Sequence, residues 1–422
     1  MRFIQTILLC LLISGGIFAQ QFDERIAPTR EPISDVALAE MPAQDNEALM
    51  QAELERRGPG IAPHFAVPID VHITPQTHGT WETLNDGTSV WRLRIKSAGA
   101  KSLNFGFTKY FMPHGGNLII YSVDKKKVMG PFTPADNEEH EQLWTPVFEA
   151  DEVVIEVQVP EVNKDQLDLE LKSVNHDFLG FTSIMSGSCN LDVICGADDG
   201  WGIVDNYRDI IQSVAVYGNG GFTYCTGFLV NNTRNDCTPL FMTADHCMGA
   251  SDAPTLVVYW NYINSFCRQP NTGQSGSAGD GTLDDFNTGA IYRASYSPTD
   301  FMLVELDDEV SETANAFFAG WNAEFDLPGP DTVIAVHHPS TDEKRISFEF
   351  DQLHPGEWGS GGTEIPGGNH VVVPDWDIGT TEGGSSGSPL FDGNKRVIGQ
   401  LHGGGAACGN DQYDIYGWVA YS

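Results

Sequence analysis

The chain is 422 residues long, room for roughly two or three domains each with its own core. Its 58 acidic against 23 basic residues give a formal charge of −35, a surface that repels nucleic acid and anionic membranes and attracts cationic ligands. With 45 glycines and 10% aromatic residues, the composition excludes a disordered chain and points to a β-rich, turn-rich globular protein.

The first 19 residues place Arg2 before an apolar run from about Phe3 to Ile13, then small residues up to Ala19. This is the pattern of a cleaved export signal, because the run is too short to span a bilayer. Cys10 lies inside the run and is expected to leave with it. Residues 20 to about 64 are polar and irregular, with a short helical pattern around "DNEALMQAELERRG". From about 65 to 160, runs such as "VWRLRI", "NLIIYSV" and "EVVIEVQV" alternate between turn signals, which predicts an all-β sandwich. "PEVNKDQLDLELKSVNHDF" then reads as a connector. Beyond it, "GFLVNN", "LFMTA", "TLVVYWNY", "FMLVEL", "VIAVHH", "VIGQLHG" and "YGWVAY" are short apolar strands between Gly, Asn and Asp turns, the pattern of a pair of β-barrels.

Seven cysteines remain after Cys10, all beyond residue 188, so the second half reads as an oxidised, stapled, exported domain with one thiol left over. Three distant residues suggest nucleophilic catalysis. Ser386 lies in the glycine-rich turn "GTTEGGSSGSPL", His246 follows the apolar strand of "LFMTADHC", and Asp300 directly precedes that of "SPTDFMLVEL". A serine hydroxyl needs a base, a group orienting that base, and donors for the developing oxyanion. Each has a plainer reading: a Gly/Ser loop, a core histidine, a strand-entry turn. Their order, His246 then Asp300 then Ser386, is that of the chymotrypsin-type hydrolases.

From about residue 186 onward the chain resembles chymotrypsin-like serine proteases, and most closely the bacterial lysyl endopeptidases. The matching stretches are "SGSCNLDVIC", "CTGFLVNNT", "TADHC", "VVYWNYINSFCR", "DFMLVEL", "AVHHP", "EKRIS", "GSSGSP" and "GQLHGG". The resemblance implies Ser386 as nucleophile, His246 as general base and then acid, and Asp300 as the carboxylate fixing the imidazole. It implies backbone N–H groups of Gly384 and Ser386 as oxyanion donors, with Gly387 letting the turn close without a Cβ. It pairs Cys189 with Cys408, Cys195 with Cys267 and Cys225 with Cys247, leaving Cys237 free.

Trypsin-like enzymes carry a pocket carboxylate six residues before the nucleophile, a position occupied here by Thr380. Lysyl endopeptidases take theirs from a later strand. In "CGNDQYDIYGWV", Asp411 keeps the family's local letters and Asp414 keeps the strand register; register favours Asp414. Glu382 is a third carboxylate, more simply read as a solvated loop charge. Gly403 and Gly404 would line the pocket, and Trp358 and His402 match an aromatic and a histidine near the family's active site, or pack a core. His337 and His338 lack metal-ligand spacing and read as structural; no metal and no cofactor is expected. Ser385 stands where zymogens activated by amino-terminal insertion carry an aspartate.

The expected architecture is therefore an export signal (1–19), a prosegment (20–183) containing the sandwich, and a chymotrypsin-like double β-barrel protease domain (184–422). The expected protein is a secreted, monomeric endopeptidase cutting protein or peptide substrates after lysine. A Lys/Arg preference or an inactive, protease-fold binding protein are the alternatives. Residues 189–422 hold two lysines and residues 20–188 hold eight, which suits a lysine cutter but also any acidic exported protein. The chain stops just after an apparent strand, where related folds usually continue into a helix, so a fragment or a short natural form is expected.

Overall fold

Alternation of apolar and polar side chains puts one face of each amino-terminal strand into a common core, and two sheets result. The computed structural model describes residues 23–329 and 332–422; the expected export signal and Cys10 lie outside them. One sheet has six strands and is built around the antiparallel pair Thr88–Lys96 and Glu152–Pro160, which run in register from Thr88 opposite Pro160 to Lys96 opposite Glu152. The other has four, with Asp168–Asp177 between Ala66–Ile73 and Leu103–Phe111. Leu93, Ile95, Phe105, Leu118, Ile155 and Val174 interdigitate between the sheets.

The stretch expected to be a connector is thus a central strand. Leu169 and Leu171 are buried in the usual alternation, but a register shift between Leu171 and Ser173 breaks the period. After it Asn175, His176 and Asp177 are all buried, each satisfied by a distant partner: Asn104, Ser97 and Ser102 respectively. The helix expected near residue 45 spans Asn46–Arg56, capped by Asp45 accepting from the Ala48 amide.

The second half is a chymotrypsin-like double β-barrel. A seven-stranded antiparallel sheet runs in the order Asp285–Thr288, Val257–Trp260, Val214–Asn219, Thr223–Val230, Leu240–Ala244, Phe301–Leu306, Ala290–Tyr296. A nine-stranded sheet carries Val333–His337, Pro389–Phe391, Arg396–Gly404 and Asp414–Trp418 side by side. Separate apolar cores fill them, one around Leu229, Phe241 and Val304, the other around Val371, Leu390 and Tyr416. Disulfides join Cys189 to Cys408, Cys195 to Cys267 and Cys225 to Cys247, and Cys237 is a free, exposed thiol. Such bonds persist in oxidising compartments.

Between the strands sits a buried charge cluster. Arg268 bridges Asp192, Asp342 and Glu343, while Arg345 bridges Asp192 and Asp342, and all five side chains are almost wholly buried. Asp342 also accepts from the backbone and hydroxyl of Ser186, so the start of the second half is anchored to the barrels.

Candidate active site

Strands Leu240–Ala244 and Phe301–Leu306 pair antiparallel with Ala244 opposite Phe301. The residues flanking that pair, His246 in the single-turn helix Asp245–Cys247 and Asp300 just before its strand, therefore meet at the same sheet end. Asp300 Oδ2 lies 2.6 Å from His246 Nδ1, and Asp300 Oδ1 accepts the His246 amide at 2.7 Å. Two bonds from one carboxylate fix both the ring and its backbone. Asp300 adopts a left-handed φ of 58° to do so. Burial raises its pKa, opposed by the hydrogen bond and charge of His246. The Cys225–Cys247 disulfide closes a separation of 22 residues immediately beside His246.

Ser386 is brought to this seam by the turn before Pro389–Phe391. Gly387 holds a φ of 82°, and a Cβ there would lie 2.2 Å from Thr243 Oγ1 and 2.8 Å from the Ala244 amide, so the turn is wedged against the strand that delivers His246. The Ser386 carbonyl accepts from Thr226 N, and the Gly387 amide donates to Leu401 O. His337, buried and pushed down to about 3 by that burial and by Arg345, is neutral; its Nδ1 is hydrogen-bonded to Ser385 Oγ at 2.9 Å. His338 stacks on Tyr262 and its Nδ1 contacts Asp342 O. Among the described residues the amides of Gly384 and Ser386 meet no acceptor, and no hydrogen bond joins Ser386 Oγ to the imidazole. Nucleophile–base bonds are often long in unliganded sites and tighten when substrate binds.

Around this group lies an aromatic wall. His402 stacks face to face on Trp358, ring centres 3.6 Å apart, and lies parallel to His246 at 5.7 Å. Its Nδ1 contacts His370 Nε2 at 3.1 Å, and burial together with the charges of His246 and His370 pushes it down to about 3. His402 is therefore a neutral plate beside the imidazole.

A cavity of about 270 Å³ adjoins Ser386, lined by Thr381, Gly383, Gly403, Gly404 and Asp414. Asp414 opens the strand Asp414–Trp418, is 1% exposed, and its Oδ2 accepts from Trp376 Nε1 at 2.8 Å and Thr381 Oγ1 at 2.7 Å. Burial pushes its carboxyl up to about 6, partly opposed by those hydrogen bonds. Asp411 is exposed in the preceding loop and lines no part of the cavity. Glu382 is not the solvated charge expected: it is half-buried and ties the Gly187 amide, Asn190 and Ser340 together. Trp376 and His370 belong to the site yet carried no sequence signal, since neither falls in a motif; Thr381 lies in the quoted glycine-rich turn, but nothing in that turn marked it as a partner of Asp414. A larger recess of about 770 Å³ between sandwich and barrels, lined by Gly130, Pro131 and Thr282 among others, holds none of these groups.

The far wall of the cavity is the chain's own residues 57–63. The Tyr224 amide donates to Pro63 O, and the Phe65 amide donates to Phe222 O, so the segment adds antiparallel to the lip of a barrel strand. Gly60 passes under Trp358, where a Cβ would lie 2.9 Å from the ring. Ala62 packs in the cluster containing Cys225 and Cys247. Glu53 staples the segment: burial opposes its ionisation, yet bonds from Arg56, the His64 amide and Arg57 hold its pKa low.

Two family models match the chain: "Lysyl endopeptidase, C-terminal domain" over residues 184–417 and "Lysyl endopeptidase N-terminal domain" over residues 37–178. The chain belongs to the lysyl endopeptidase family. This family member is 28% identical over 389 residues to a lysyl endopeptidase of Pseudomonas aeruginosa, covering 84% of this chain and 79% of that protein. Among solved structures it is similar to human heparin binding protein, 17% identical with a TM-score of 0.34 over 50% of this chain and 87% of that one. It is also similar to a serine endoprotease of Yersinia pestis, 13% identical with a TM-score of 0.35 over 51% of this chain and 61% of that one. The protein is a chymotrypsin-like serine endopeptidase, and its substrates are peptides or proteins.

Proposed function

We propose that this lysyl endopeptidase family member is a secreted zymogen whose mature form cuts on the carboxyl side of lysine through Ser386, His246 and Asp300. The observation that carries this reading is the doubly bonded Asp300–His246 pair, set at the seam into which the Ser386 turn is wedged. In the proposed reaction Ser386 Oγ attacks the scissile carbonyl while His246 Nε2 takes its proton. Asp300 holds the ring in the tautomer with Nδ1–H and stabilises the imidazolium that forms. The Gly384 and Ser386 amides, which meet no acceptor among the described residues, would donate to the oxyanion. His246 then protonates the departing amine, and water repeats the sequence to release the acyl group from Ser386.

Lysine preference is proposed from the buried Asp414 carboxylate beside the cavity. An unpaired buried charge is costly, and a substrate ammonium offsets that cost. The Gly403 and Gly404 backbone and the Trp358–His402 plates would position the extended substrate. Residues 20–183 are proposed to be a removable prosegment, supported by residues 57–63 lying along the cavity. Ser385 carries no charge, so activation by amino-terminal insertion is not proposed. Ser183 precedes the proposed boundary at Ile184, so self-cleavage at lysine has no site there. Fluorophosphonate labelling of the mature protein should modify Ser386, and a peptide-library digest should give cleavage after lysine. An unlabelled Ser386 would leave the inactive-binder alternative standing, and equal cleavage after arginine would remove the narrow specificity.

A further inference from the structure

Away from the cleft, four carboxylates converge where two loops meet. Glu349 ends the strand Arg345–Glu349 and Asp351 follows it, while Asp375 and Asp377 flank Trp376 in the loop after His370–Val373. Carboxylate oxygens of Glu349, Asp351 and Asp375 all lie within 4.8 Å of one another. That spacing suits a shared central ion, since two oxygens on opposite sides of a Ca²⁺ are separated by about twice a 2.3–2.6 Å bond. Asp377 is drawn to the same place by accepting the Phe350 amide at 3.0 Å.

The decisive observation is Glu349 itself. Its side chain is fully buried and lies against the Asp375 carboxyl; while Oε1 accepts the Phe350 and Asp351 amides, the buried Oε2 accepts from no donor among the described residues. A buried carboxylate oxygen left unsatisfied is costly, and the groups facing it make the cost larger. The charged neighbours acting on Glu349 are Asp377, Asp375 and Asp351, all acidic, and among the described residues no Lys, Arg or His forms an ion pair with any of the four.

We propose that Glu349, Asp351, Asp375 and Asp377 form a Ca²⁺ site that ties the end of one barrel strand to the loop carrying Trp376. Only oxygen donors are present, which favours a hard cation. The flexible carboxylate geometry suits Ca²⁺ better than Mg²⁺, which demands a near-ideal octahedron. With one ligand at a strand end and the other three in the irregular segments beyond the strands, the site falls in the weak class of extracellular modules, with a Kd of roughly 10⁻⁴ to 10⁻³ M. Its structural effect is local: Trp376, held between two ligands, also donates to Asp414 Oδ2.

The position of Trp376 supplies the assay. Tb³⁺ added to the purified full chain should give emission sensitised by tryptophan, displaced by millimolar Ca²⁺. Ca²⁺ at about 5 mM should raise the Tm by roughly 1–3 °C relative to EDTA. Both effects should be lost in Asp375→Asn and in Asp351→Asn, whose ligand is exposed and whose folding is not at risk. Absence of sensitised emission and of a Tm shift in the unaltered chain would overturn the proposal. Emission and shift of undiminished size in both variants would equally overturn it, since the ions would then be held elsewhere on the acidic surface.

Discussion

Burial gives Asp414 a carboxyl that titrates near 6, and its role in recognition follows from that one value. A raised pKa means the folded chain favours the neutral acid. Its contribution to stability is full below the ordinary aspartate value of 3.8 and is lost as pH rises through about 6. Binding of a cationic side chain pulls the other way, since it requires the charged form. In the mature enzyme, kcat/KM on a lysine substrate should therefore fall as pH drops below about 6. Asp414→Asn should lower kcat/KM on lysine substrates by roughly 10²-fold or more, chiefly through KM, because the substrate ammonium would be left without a partner. Asp411→Asn should change it by less than about twofold, as expected of an exposed loop charge. Similar losses in the two variants would show that the pocket is not built on Asp414. At this scale the sequence was informative about position wherever a residue sits at the end of a strand: His246 and Asp300 flank paired strands, and Asp414 opens one. Trp376, His370 and the bond from Thr381 to Asp414 were invisible because they arise from contacts between segments far apart in the chain.

The element that most changes the picture is the stretch from Glu53 to Phe65. Its backbone pairs with the barrel lip while Gly60, at a φ of 70°, slides beneath Trp358. Adding a methyl group there strains the backbone and meets the indole, so Gly60→Ala should loosen the segment and raise the activity of the uncleaved chain toward small substrates several-fold. Ile61, beside the cavity, is not a residue that Asp414 would attract; Ile61→Lys should turn a poor ligand into a cleavable one, seen by mass spectrometry as a new cut after position 61. An unchanged rate in the first variant and an intact segment in the second would count against a blocking role. The sequence announced the helix Asn46–Arg56 by pattern, yet nothing in "GPGIAPHF" distinguishes a loop from a segment lying in a cleft. The strand Asp168–Asp177 was hidden for another reason: after its register shift it buries polar groups, and only their partners elsewhere in the sandwich make that tolerable.

At the scale of the molecule, the two barrels are knit by buried charge as well as by apolar packing. Removing one cation from the Arg268 and Arg345 cluster leaves acidic groups uncompensated in the interior, so Arg345→Ala should cost roughly 3–5 kcal/mol in denaturant unfolding of the full chain. A loss under about 1 kcal/mol would mean that water reaches the cluster on truncation. The double-barrel architecture itself was legible from short apolar runs between turns, but this cluster was not, because Asp192, Arg268 and Asp342 come from three separate stretches. One further feature concerns how copies of the mature enzyme coexist. Beyond residue 188 only Lys344 and Lys395 remain. Lys344 is 1% exposed with Nζ donating to Ile211 O, while Lys395 sits at a φ of 63° in a tight turn and is clamped to Asp209. Neither can be drawn out as the extended strand that a cleft of this kind accepts. On the proposed specificity, concentrated enzyme should persist through long incubation without autolysis, its folded body offering its siblings nothing to cut.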